Sequence, residues 1–81
     1  MIVFTKQNTL GQNASSKNVV LCAVIADTLS DFPAPTAFEN DGYIIAMGSV
    51  GLAIDTGKRY ILDSAGTYNE NNDIPISIFY A

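Results

Sequence analysis

The chain has 81 residues, 48% of them apolar and only 15% charged, with four basic residues against eight acidic ones for a net charge of -4. That balance argues against a nucleic-acid partner, which needs clustered cations to neutralise phosphates. With no histidine and a single cysteine, Cys22, the composition excludes a Ser-His-Asp triad, a Cys-His pair, a His-ligated zinc and an internal disulfide.

A chain of this length forms one domain that buries only roughly 60% of its unfolded surface. Small domains ordinarily add disulfides, a structural metal or oligomerisation to a marginal core. The composition removes the first two, which leaves homo-oligomerisation or docking onto a larger assembly. The low charge agrees, because interface cores are depleted in charged residues.

Met1-Ile2-Val3-Phe4-Thr5 is a short β-prone segment, followed by the polar stretch Lys6 to Asn18. Nothing in that stretch can bury a face, so residues 1–18 read as an N-terminal strand and a polar arm that a partner chain would have to hold. Asn13-Ala14-Ser15 fits a glycosylation triplet but reads as loop, since no basic region precedes a hydrophobic segment as in a signal peptide. Val19 to Ala26 is a continuous apolar run rich in β-branched residues. It predicts a strand buried on both faces, with a buried helix as the other reading of the same run. The run is far shorter than the ~20 residues that cross a bilayer, and Tyr43 to Ile54 is broken by Gly48, Ser49 and Gly51, so no membrane partner is expected.

Asp27 to Phe32 can form one helical turn, after which Pro33 and Pro35 force an extended loop. Glu39-Asn40-Asp41-Gly42 is a turn, and Tyr43 to Met47 the next strand. In Ser49-Val50-Gly51-Leu52-Ala53-Ile54, large and small residues alternate with period two. This predicts a half-buried strand whose small face, Ser49, Gly51 and Ala53, lets another layer approach closely and is a candidate interface. Asp55-Thr56-Gly57-Lys58 carries hairpin chemistry, with Asp opening the turn and Gly in the left-handed position. Arg59 to Asp63 returns as the partner strand, Ser64-Ala65-Gly66 turns again, and Thr67-Tyr68 begins a third strand.

After the polar break Asn69 to Asp73, Ile74, Ile76, Ile78 and Tyr80 alternate in a C-terminal strand. Pro75 cannot donate to a ladder, so the segment belongs at an edge, closing its own sheet or pairing with a neighbouring chain as an arm. The fold expected is therefore mainly β: a small antiparallel meander or sandwich over residues 19–73, with arms at 1–18 and 74–81 and at most one short helical turn.

Chemistry-bearing patterns are sparse. Asp55-Thr56-Gly57 resembles the aspartic-protease triplet, which needs a second aspartate to share a proton. Lys58 and Arg59 beside such a pair would hold both carboxylates ionised, and the hairpin turn accounts for all the residues. Glu39 with Asp41, or Glu70 with Asp73, lack the regular spacing of a calcium loop. The glycines at 48, 51, 57 and 66 do not make a phosphate loop. Tyr43, Tyr60, Tyr68 and Tyr80 could line a carbohydrate-binding surface, although packed aromatics are the commoner outcome in a meander. Cys22, inside an apolar run, reads as a small buried hydrophobe. No catalytic residue, metal ligand or cofactor is expected.

One resemblance stands out between Thr28 and Tyr68. Ser30-Asp31-Phe32-Pro33, Gly48-Ser49, Ile54-Asp55-Thr56-Gly57 and Tyr60-Ile61-Leu62-Asp63-Ser64-Ala65-Gly66 resemble a recurrent hairpin element of small structural proteins of tailed bacteriophages. The pattern usually has Trp where this chain has Tyr68. What the resemblance implies is a non-enzymatic virion component, of head-decoration, head-fibre-base or minor-capsid type. Its partners would be major capsid, neck or fibre proteins. The competing expectation is a host-surface or glycan-binding β module of a phage fibre or tail.

Overall fold

The computed structural model of the chain describes residues 2–80; Met1, in the first β-prone segment, and Ala81, in the C-terminal arm, lie outside the described residues. The fold is mainly β, as the patterning predicts, with helical backbone confined to three single turns of 3-10 helix. Its strands are β1 (Ile2–Gln12), β2 (Asn18–Ala26), β3 (Tyr43–Ile45), β4 (Val50–Ala53), β5 (Lys58–Leu62) and β6 (Tyr68–Glu70). They form one mixed sheet in the order β1-β2-β4-β5-β6, with β3 also paired to β2.

β2 is the axis of the molecule. Its continuous apolar run is explained by burial on both faces: Val20, Cys22, Val24 and Ala26 point to one side, and Ala23 packs on the other. On one edge β2 pairs antiparallel with β1. On the other it runs parallel to β3 through residues 18–20 and to β4 through residues 23–26. A purely antiparallel meander was expected. The sheet is mixed because residues 27–42, with their two prolines, do not turn back at once. They cross over one face and re-enter beside β2 in the same direction, as a parallel pairing requires. The β4–β5–β6 unit is antiparallel and follows the expected meander.

The larger core lies beneath that crossing segment. Val20, Cys22, Val24 and Ala26 of β2 meet Phe32, Ile45, Ala53, Tyr60 and Leu62. Phe32 sets its ring edge-on to Tyr60 at 5.6 Å and tilted on Tyr68 at 4.9 Å, while Phe38 stacks on Tyr43 at 5.2 Å and meets Phe4 at 5.5 Å. The smaller core lies on the opposite face, where Phe79 packs on Ala23 and Leu52, with Ile25, Val50 and Ile74 around it.

Two expectations about the ends are corrected. The polar stretch from Lys6 is not a flexible arm: it continues β1 through Gln12, paired with β2 from Ile2↔Ala26 to Gln12↔Asn18 with bulges between Phe4 and Lys6 and between Thr9 and Gly11. Backbone hydrogen bonds can extend a strand past the reach of its apolar side chains, and here only Ile2 and Phe4 touch the core. Its hairpin is closed by Asn13, whose side-chain oxygen accepts from the N–H groups of Ser15 and Lys17 at 3.0 Å. The N-terminal stretch is thus held by its own β2, with no partner chain needed to order it.

The C-terminal segment is not a strand either. Ile76–Phe79 is one turn of 3-10 helix. Pro75 blocks ladder pairing, and turning the backbone puts Phe79, which strand alternation would set apart from the isoleucines, into the sheet with 1% of its surface exposed. The limit of one helical turn is likewise exceeded, by Leu29–Asp31, Glu39–Asp41 and Ile76–Phe79.

Candidate assembly surfaces

The small residues proposed as an interface lie inside. Gly51 is buried beneath Phe32: a Cβ placed there would stand 2.7 Å from Phe32 Cζ, closer than two carbons can pack. Ser49 and Ala53 are each 1% exposed. The alternation therefore did mark a face that another layer approaches closely, but that layer is the chain's own crossing segment. Ser49, Gly51 and Ala53 are removed as an intermolecular surface.

Ser49 has a structural task that sequence reasoning missed. Between β3 and β4 the chain leaves the ladder at Ala46–Ser49, so β2 lacks a backbone acceptor there. Ser49 Oγ takes its place and accepts the Cys22 N–H at 3.0 Å. On one side of the gap Ala46 N–H donates to Val20 O at 2.8 Å, and on the other the pairing of β2 with β4 resumes at Ala23↔Val50. Cys22 is buried as expected, and burial pushes its thiol up from the ordinary value, which keeps it protonated and unreactive.

The turn residues behave as read. Gly57 has φ +71° and donates to Ala53 O at 2.9 Å, closing the β4–β5 hairpin through Asp55 and Thr56. Gly66 has φ +85° beside Pro35. Both need the left-handed backbone that glycine adopts without penalty. Asp63 organises the next hairpin, accepting from the N–H groups of Thr67 at 2.9 Å and Ala65 at 3.0 Å and from Asn69 Nδ2 at 2.7 Å. The Thr67 bond first, then Asn69, hold its carboxyl below the usual carboxylate range.

The tyrosines do not form one surface. Tyr60 is buried, Tyr43 is stacked on Phe38, and Tyr68 donates its hydroxyl to Pro33 O at 2.8 Å. Tyr80 alone of the four is largely exposed, at 66%. No group of three or more Cys, Asp or Glu side chains among the described residues is placed to hold a metal ion. Glu70 instead accepts from Asn72 Nδ2 at 2.7 Å and lies 3.5 Å from Lys58 Nζ.

Some of the side chains left outside are apolar. In the C-terminal segment Ile74 is half-buried against the smaller core, while Ile76, Ile78 and Tyr80 face solvent. Of the four residues proposed as a C-terminal interface, the structure therefore leaves three available, on a turn rather than a strand. The segment is held at two points. Phe79 fills the smaller core, and Arg59 clasps the approach to it: Nε donates to Ile74 O at 3.1 Å and an Nη to Asn72 O at 2.6 Å, while the other Nη reaches Gly57 O at 3.0 Å. Arg59 read as an ordinary strand residue in the sequence; its role depends on a carbonyl cluster that only the fold assembles.

A second apolar region is an open cleft of about 640 Å³ at the far end of β2, bounded by Leu10, Val19, Ile44, Met47 and Leu62. Leu10 and Met47 project into solvent at its rim. No helix among the described residues is long and apolar enough to cross a membrane. Comparison of the chain with protein-family models, with curated proteins and with solved structures finds no match.

Proposed function

We propose that this chain is a non-enzymatic structural subunit of a tailed-phage particle, associated with the capsid as a decoration, head-fibre-base or minor capsid protein, and that it works by meeting neighbouring subunits. The observation that carries this reading is the C-terminal segment, where Ile76, Ile78 and Tyr80 stand in solvent on a turn pinned to the domain by Phe79. Exposed apolar side chains gathered on one short element, on a chain with so few charges, suit contact with another protein. The hairpin resemblance supplies the particle context: Ile54-Asp55-Thr56-Gly57 and Tyr60-Ile61-Leu62-Asp63-Ser64-Ala65-Gly66 form the two turns and the strand between them. A glycan-binding role draws no support from the tyrosines, three of which pack internally.

The test is a mass-spectrometric inventory of purified particles with stoichiometry. The chain is expected at a fixed copy number per particle, and the double variant Ile78→Ser/Tyr80→Ser is expected to be lost from particles while still folding. A chain abundant in the lysate but missing from washed particles would overturn the assignment.

A further inference from the structure

Small domains secure a marginal core with a staple, and this composition offers neither a disulfide nor a His-ligated metal. One other covalent staple is open to it, an amide between a lysine amine and an asparagine side chain. The end of the β5–β6 ladder gathers the parts. The pairing Leu62↔Tyr68, Ile61↔Asn69, Tyr60↔Glu70 continues past β6, where Asn71 N–H donates to Arg59 O at 2.7 Å. That register sets Lys58 opposite Asn72. Opposed residues hold their Cβ atoms about 5 Å apart, within the reach of a lysine. Lys58 Nζ stands 3.5 Å from Glu70 Oε1, and Glu70 Oε2 accepts from Asn72 Nδ2 at 2.7 Å. Asn72 Oδ1 in turn accepts the backbone N–H of Arg59 at 3.1 Å. One carboxylate therefore touches both an amine and an amide, and that amide is held at its nitrogen and at its oxygen.

We propose that Lys58 and Asn72 join in an isopeptide bond, with Glu70 carrying the proton between them. Lys58 Nζ, once it has given a proton to Glu70 or to solvent, attacks Asn72 Cγ. The electron pair of the carbonyl moves onto Oδ1, where the Arg59 N–H already donates to the oxygen that becomes negative. Glu70, in contact with Nδ2, delivers a proton to that nitrogen. The Cγ–Nδ2 bond then breaks and the carbonyl re-forms. One C–N bond is made, one is broken and ammonia leaves; nothing is oxidised or reduced, and no further reactant is needed. Neighbouring positions on paired segments give the amine a high effective concentration at the amide. The Lys58 and Glu70 side chains are 49% and 43% exposed, so water weakens their ion pair and leaves the amine free to turn toward Asn72. An amine attacks only in its neutral form, so the bond is expected to form slowly at neutral pH and faster in mild alkali. Once formed, it ties β5 covalently to the segment that leads into the Phe79 turn. The chain is altered once and turns nothing over, so the bond adds to the structural reading without making the protein an enzyme.

The test uses purified protein alone, so its failure leaves the particle inventory untouched. The full chain is incubated at neutral and at mildly alkaline pH and followed by intact-mass spectrometry, then digested and fragmented. The expected result is loss of the mass of one ammonia, growing with time and faster in alkali, with the fragments showing Lys58 joined to Asn72. Lys58→Arg and Asn72→Ala are expected to keep their full mass. Glu70→Gln, which keeps the shape of the side chain without its basicity, is expected to react roughly 100-fold more slowly. All three side chains lie at the surface, so these variants are expected to fold, which circular dichroism checks. A chain that retains its full mass at both pH values overturns the proposal. So does ammonia loss that persists in Lys58→Arg, which marks a backbone succinimide at an asparagine instead. Loss at the parent's rate in Glu70→Gln would remove the carboxylate from the reaction and overturn it as well.

Discussion

The two faces of the sheet are closed by opposite means. One is covered by residues 27–42, an internal segment fixed at both ends by strands, which lays Phe32 and Phe38 among Phe4, Tyr43, Tyr60 and Tyr68. The other is covered by residues 74–80, which reach the sheet through Phe79 and Ile74 and are clasped by Arg59. Both rings are buried, but the first lies in a segment tied between strands, whereas the second lies on a single 3-10 turn held by Phe79, Ile74 and the Arg59 clasp. Burial alone therefore does not say how much of the fold a side chain supports; connectivity does, because local opening limits what a peripheral contact can cost.

The sharpest way to break this comparison is to truncate both rings. Phe32→Ala should lower the unfolding free energy by about 3–5 kcal/mol, the ordinary cost of a vacated aromatic site, read by chemical denaturation. Phe79→Ala should cost clearly less, with the difference appearing as rapid amide exchange confined to the C-terminal segment and to Leu52 and Ala23 beneath it. Equal losses from the two variants would show that the faces are equivalent after all.

Gly51→Ala probes how closely the crossing segment sits. With a Cβ 2.7 Å from the Phe32 ring, the covering layer must lift, and overpacking of this kind costs about 1–3 kcal/mol. A thermal midpoint equal to that of the parent would mean that the layer is looser than its geometry indicates.

Alkaline titration separates the faces chemically. Tyr68 lies on the Phe32 side, half-buried with its hydroxyl on Pro33 O, and burial pushes its pKa up to about 12. A raised pKa in the folded state means the stabilisation is complete below the unfolded value near 10 and is lost as the pH climbs toward 12. Stability of the Phe32 face should therefore fall across that window, and Tyr68→Phe should flatten much of the fall. A parent and variant with the same alkaline profile would remove Tyr68 from the account.

The smallest global effect is expected from Arg59→Gln. Loss of the clasp should leave the denaturation midpoint almost unchanged while speeding amide exchange across residues 74–80. A large drop in overall stability would instead make Arg59 a support of the whole sheet.

Much of the core was readable from the chain. The β2 run needed no partner element to be recognised as doubly buried, since a half-exposed strand would have alternated. The turns at Gly57 and Gly66 were readable because positive φ is a local demand on a single residue. The small face at Ser49, Gly51 and Ala53 was correctly seen as a surface awaiting a close layer, but nothing local distinguishes one's own Phe32 from a neighbour's side chain. The start of β1 was read as a strand, but its continuation from Lys6 was missed, because that half is held by backbone bonds that leave no hydropathy pattern. The C-terminal strand was over-read because alternation in Ile74, Ile76, Ile78 and Tyr80 is a pattern of side chains, while Pro75 and the seat for Phe79 decided the backbone.

Composition and spacing, then, settled the β class, the exclusion of histidine and disulfide chemistry, the burial of the central run and the glycine turns, all of which follow from properties of single residues or adjacent ones. Only the tertiary structure decided the parallel crossover, the mending of β2 by Ser49, the clasp at Arg59 and the choice of Phe79 as the C-terminal anchor. Those depend on which groups, distant along the chain, compete for the same neighbours and the same unpaired backbone atoms, and that competition is resolved only in three dimensions.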